Sequence, residues 1–135
     1  MKIKAKKSLG QNFLIDKNII KKIVNVGNIL PKSSILEIGA GTGNLTECIL
    51  NKNPKKIFII EKDERLVEKL KERFNDKIEI INKDILKVRE NLICPDKLIV
   101  YGNLPYNIST QILSKWIIND CKDVWYESFI FMFQK

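Results

Sequence analysis

The sequence predicts an α/β domain, a parallel β-sheet with helices on both faces. Three observations carry that reading. Runs such as Ile57-Phe58-Ile59-Ile60 and Leu98-Ile99-Val100-Tyr101 are apolar without alternation, as strands covered on both sides must be. Leu66, Val67, Leu70 and Phe74 recur at helical spacing between such runs. Strand and helix signals alternate along the chain, the order that builds parallel sheets.

Taken in order, Lys2, Lys4, Lys6 and Lys7 open the chain as a basic arm with no acid among them. The run Leu9-Gly10-Gln11-Asn12-Phe13-Leu14 breaks that arm. Asp16 then caps a helix whose apolar face is Ile19, Ile20, Ile23 and Val24. Pro31 leads into a first strand, Ile35-Leu36-Glu37-Ile38. Asn44 is read as the N-cap of the next helix, over about 45–51, with Glu47 completing a capping-box pattern. A second strand over 56–61 ends on Glu61, and a helix spans about 63–74. Ile78, Ile80 and Ile81 mark a third strand, followed by Asp84. Residues 97–101 form a fourth strand, followed by Asn103-Leu104-Pro105-Tyr106. A helix over about 109–119 and a fifth strand over 128–133 complete the series. The expected division is a basic arm and N-terminal helix over 1–30, then the sheet domain over 31–135.

Composition narrows the function. A chain of 135 residues that is 44% hydrophobic fits one globular domain. Its net charge of +8 favours a polyanionic partner, nucleic acid before membrane. No run approaches a membrane span, so the cytoplasm is the expected compartment. Cys48, Cys94 and Cys121 lack metal-ligand spacing and are expected as reduced, partly buried thiols. The chain has no histidine, which excludes histidine-based nucleophilic triads and the usual zinc sites.

Glu37-Ile38-Gly39-Ala40-Gly41-Thr42-Gly43 reads as strand end, glycine turn and helix start. A dinucleotide fingerprint wants G-x-G-x-x-G; here Asn44 stands where the third glycine would fall. The form is similar to the first motif of Rossmann-like methyltransferases that use S-adenosylmethionine (AdoMet). Glu61 lies 18 residues beyond Gly43, where a carboxylate can accept both hydroxyls of a ribose. With the glycine loop, Asp84 and Asn103, it makes four ligand candidates after successive strand ends, the edge where open parallel sheets bind ligands.

Asn103-Leu104-Pro105-Tyr106 is the most specific stretch. A plain alternative is an X-Pro turn with Tyr106 packed in the core. The chemical reading gives each residue a task on an adenine amine, whose lone pair is delocalised into the ring. Hydrogen bonds accepted from that amine by the Asn103 side chain and the Leu104 carbonyl localise density on nitrogen. Pro105 fixes φ and removes a competing donor, and Tyr106 offers a face to an extruded base. Methyl transfer then needs orientation more than a general base.

The chain resembles the N-terminal catalytic half of the KsgA/Erm family of rRNA adenine N6-dimethyltransferases. The carrying segments are residues 7–14, the Glu37–Gly43 loop, Glu61, Asp84 and the Asn103–Tyr106 stretch. The resemblance implies a Rossmann-like class I AdoMet-dependent fold. In it Asn12 and Leu14 close over AdoMet, Gly39 contacts its amino-acid end, and Gly41 also belongs to the cofactor site. Glu61 holds the ribose, Asp84 the adenine amine, and Asn103 both cofactor and target base. The wording of the arm and catalytic stretch is similar to the small-subunit branch, which dimethylates two adjacent adenosines near the 3′ end of small-subunit rRNA during ribosome biogenesis. The family continues into a helical RNA-docking domain, so the chain is expected to be a C-terminally incomplete form. It is expected to act as a monomer on a pre-ribosomal small subunit, without metal or membrane, its fifth strand an exposed apolar edge. Two other readings stay open: a DNA adenine-N6 methyltransferase, and a non-catalytic AdoMet- or RNA-binding factor.

Overall fold

A computed structural model describes residues 3–6, 13–118 and 124–133. Its elements run α1 (Lys17–Val26), β1 (Ser34–Ile38), α2 (Asn44–Leu50), β2 (Lys56–Ile60), α3 (Glu64–Phe74), β3 (Glu79–Ile81), β4 (Leu98–Leu104), α4 (Tyr106–Ile118) and β5 (Tyr126–Phe133). The five strands pair in parallel in the order β3-β2-β1-β4-β5. The chain therefore winds outward from β1 to β3, then crosses back to place β4 on β1's other side. That reversal opens a crevice between the carboxyl ends of β1 and β4.

Alternation along the strands explains the continuous apolar runs. Ile35, Ile57, Ile59, Ile99 and Tyr101 face one layer, where Ile20 and Val24 of α1, Ile49 of α2, and Leu70 and Phe74 of α3 pack on them. Leu36, Ile38, Phe58, Ile60 and Val100 face the other, under Ile112 and Trp116 of α4. Tyr101 is fully buried, and its hydroxyl donates to the Val24 carbonyl at 2.7 Å, tying α1 to the sheet. Burial pushes that phenol up to about 12.

Several elements differ from expectation, β5 among them, which starts at Tyr126 and not at Ser128. Ile19 is 48% exposed: the stripe facing the sheet is centred on Ile20 and Val24, and Ile19 lies off it. β4 runs on through Leu104 rather than ending at Tyr101, because β5 supplies partners as far as Met132 and Phe133. Gly102, within the extended strand, makes room for Phe131, whose ring carbons lie 2.7–2.8 Å from where a Cβ would sit. α4 accordingly starts at Tyr106 instead of Ser109. β5 is an edge strand, and Phe133 at its end is 51% exposed, a surface prone to association. Among the described residues no helix is long and apolar enough to cross a membrane, and Cys48 and Cys94 are free, half-buried thiols. Cys121 lies outside the described residues.

Candidate active site

The glycine loop leaves β1 with Gly39, Gly41 and Gly43 all at positive φ (70°, 60° and 92°). The Gly39 amide donates to the Ile60 carbonyl at 3.0 Å, so the loop starts level with the end of β2. Gly43 has both an unfavourable φ and no space, since a Cβ there would lie 2.5 Å from Phe74 and 3.1 Å from Leu70. Gly43→Ala is therefore expected to cost about 2 kcal/mol of stability. Urea unfolding checks this; an unchanged midpoint would show that α3 yields to the methyl group.

Asn44 is not the helix cap. Gly43 takes that position with left-handed backbone and no side-chain cap, whereas an Asn cap wants extended backbone. Asn44 instead begins α2 and turns its amide to the N-terminal segment, donating from Nδ2 to the Leu14 carbonyl at 3.0 Å. Glu47 closes no capping box; it pairs with Arg73 at 2.7 Å.

A cavity of about 410 Å³ opens at this edge of the sheet. Leu14, Gly39, Gly41, Glu61, Asp84, Asn103, Leu104 and Pro105, all singled out in the sequence, border it together. Tyr106 does not. It sits in the first turn of α4, 63% exposed, its ring edge-on to Phe133 at 5.9 Å. Asn12 lies outside the described residues. The sequence reading missed Phe13, which lies over Gly41, and gave no role to Lys62, Lys83 or Asn107, which also line the cavity.

Three carboxylates give the cavity its electrostatics. Glu37, 1% exposed, accepts a hydrogen bond from Thr46 Oγ1 at 2.6 Å. Burial pushes its carboxyl up to about 7; the Thr46 hydrogen bond opposes the shift and the Glu61 charge adds to it. Glu61 is also raised by burial, against hydrogen bonds from the backbone of Asp63, Gly41 and Lys62; the Asp63 amide reaches Oε1 at 3.0 Å. Asp84 is held below the usual carboxylate range, chiefly by the Leu86 amide at 3.0 Å and then by Lys62 at 3.4 Å. Asp84 is thus held as an anion beside Lys62, while burial makes Glu37 and Glu61 easier to protonate than ordinary carboxylates.

A parallel sheet wound in both directions from β1, with a glycine loop on β1 and carboxylates after β2 and β3, defines the Rossmann-like methyltransferase class. Within that class the chain belongs to the ribosomal RNA adenine dimethylase family, whose model it matches over residues 2–135. It is 58% identical over 135 residues to the ribosomal RNA small subunit methyltransferase A of Pelagibacter ubique, covering all of this chain and 51% of that protein. The same-named protein of Ehrlichia chaffeensis is 44% identical over 139 residues, covering 99% of this chain and 51% of the relative. A dimethyladenosine transferase structure from Plasmodium falciparum superposes with a TM-score of 0.76 at 30% identity, covering 92% of this chain and 44% of that one. The 23S rRNA methyltransferase ErmE matches with a TM-score of 0.69 at 29% identity, over 78% and 43% of the two chains. The chain spans about half the length of the curated relatives it matches.

Proposed function

We propose that this chain is the catalytic part of an AdoMet-dependent enzyme that dimethylates N6 of two adjacent adenosines near the 3′ end of small-subunit rRNA. Residues 31–135 form its AdoMet-binding domain and residues 1–30 its basic arm and first helix, acting in the cytoplasm on a pre-ribosomal small subunit. One observation carries the reading: the glycine loop, the buried Glu61 and the Asn103-Leu104-Pro105 rim border a single cavity in a chain of the rRNA adenine dimethylase family.

The residues present fit the cofactor. The cavity volume suits a small-molecule ligand, and the Asp84 anion with the acceptor oxygens of Glu61 suits a ligand carrying positive charge and hydroxyl donors. When bound, AdoMet supplies an electrophilic methyl group. Glu61 has acceptor lone pairs left for a ribose diol beyond the Asp63 amide it already receives. Asp84, with one oxygen on Leu86 and the other near Lys62, would accept as an anion from the adenine amine. Asn103 and the Leu104 carbonyl accept from the target amine and aim its nitrogen, while Tyr106, exposed outside the cavity, offers a face to the flipped base.

The test is transfer of labelled methyl from AdoMet to under-methylated small ribosomal subunits, with duplex DNA as the competing substrate. Label on paired adenosines of the small-subunit rRNA is expected; label on DNA alone, or none, overturns the reading. Glu61→Ala is expected to weaken AdoMet binding by roughly 1.5–3 kcal/mol, the range for a charged hydrogen bond. Calorimetric titration measures it, and an unchanged affinity would mean the carboxylate serves its own loop only.

A further inference from the structure

Arg73 lies outside the cavity, in the last turn of α3. Its guanidinium donates to the Thr42 carbonyl at 2.8 Å and to Asn44 Oδ1 at 3.2 Å, and it pairs with Glu47 at 2.7 Å. An arginine only donates, so the Asn44 amide must turn its oxygen to Arg73. Its NH2 group then faces the opposite way, toward the N-terminal segment, and donates to the Leu14 carbonyl at 3.0 Å. One residue earlier the Phe13 ring lies against Gly41, 3.1 Å from where a Cβ would stand. Phe13, Leu14, Gly41 and Asn44 all line the cavity, so this relay fastens one wall of it to another.

We propose that Arg73 and Asn44 act as a catch that holds Phe13 and Leu14 against the glycine loop, with Arg73 a positioning residue for ligand retention. The catch rests on the AdoMet reading of the cavity. Arg73 orients the amide, the amide holds the Leu14 carbonyl, and the closed wall slows escape of the ligand. Leu70 and Phe74 of the same helix pack behind Gly43, so α3 supports the loop from outside, while its arginine reaches Asn44, whose amide in turn reaches Leu14.

Asn44→Asp separates this role from simple support of the loop. Aspartate still accepts from Arg73, more strongly as a charged partner, but it has no N–H for the Leu14 carbonyl. The full chain carrying Asn44→Asp is expected to keep its unfolding midpoint yet bind AdoMet about 5-fold more weakly, mainly through faster dissociation. Amide hydrogen exchange over residues 13–16 should rise in the unliganded variant. Arg73→Gln is expected to behave in the same direction, with Arg73→Lys rescuing only in part because a single ammonium nitrogen cannot span the three acceptors that the planar guanidinium reaches. Glu47→Gln cuts the exposed ion pair, leaves the relay intact, and should match the parent in affinity and exchange. If the parent chain binds AdoMet and Asn44→Asp holds it equally long, the catch is overturned and the methyltransferase reading stands. If the parent chain fails to bind AdoMet, both fall.

Discussion

Replacing Asn103 with alanine is expected to lower the rate of methyl transfer by at least about 100-fold, the scale for loss of a preorganised polar group at a reacting centre. AdoMet affinity should stay close to that of the parent chain. The split follows from what the side chain is asked to do. The target amine gains nucleophilicity as its nitrogen rehybridises, so an acceptor on its hydrogens binds the transition state better than the ground state. The variant should fold, because Asn103 is only half-buried and its backbone keeps the ladder to Met132 of β5. Single-turnover transfer of labelled methyl and a calorimetric AdoMet titration, run on the same preparation, separate the two effects. Equal losses in both would assign Asn103 to the cofactor alone.

What could be read from the sequence, and what could not, divides by the range of the interactions involved. The strands were legible because a sheet covered on both faces needs unbroken apolar runs, and Ile57–Ile60 and Leu98–Tyr101 supply them. The loop was legible because three glycines in five residues follow a strand, and all three take positive φ. Glu61 and Asp84 could be placed at the site because strand ends of a parallel sheet share an edge. Asn44 departs from its sequence pattern because that pattern imitates a cap locally, while its actual partners, Leu14 and Arg73, lie 30 and 29 residues away. β4 appeared to stop at Tyr101 because its continuation depends on pairing with β5, which no local propensity reports. Glu37 carries a signal of its own in the sequence: a carboxylate inside an otherwise apolar strand must be neutralised or paired once buried.

That last residue should set how stability depends on pH. Glu37 titrates at about 7 in the folded chain, against an ordinary value of 4.5. Between those values the folded state holds a proton that the unfolded state has released, so stability falls as pH rises. The protonated form contributes fully below about pH 4.5, and that contribution is lost progressively until just above pH 7. A displacement of this size corresponds to roughly 3 kcal/mol. Glu61, also raised by burial, acts in the same direction, and Asp84, held low, acts in the opposite direction in a more acidic range. Glu37→Gln isolates the effect, since a neutral amide resembles the protonated acid and can still accept from Thr46 Oγ1. Urea unfolding should find the variant within about 1 kcal/mol of the parent near pH 4.5 and more stable by roughly 3 kcal/mol at pH 8. Parallel stability curves across that range would mean that the carboxylate finds a counter-charge or water in solution and carries its charge at no cost.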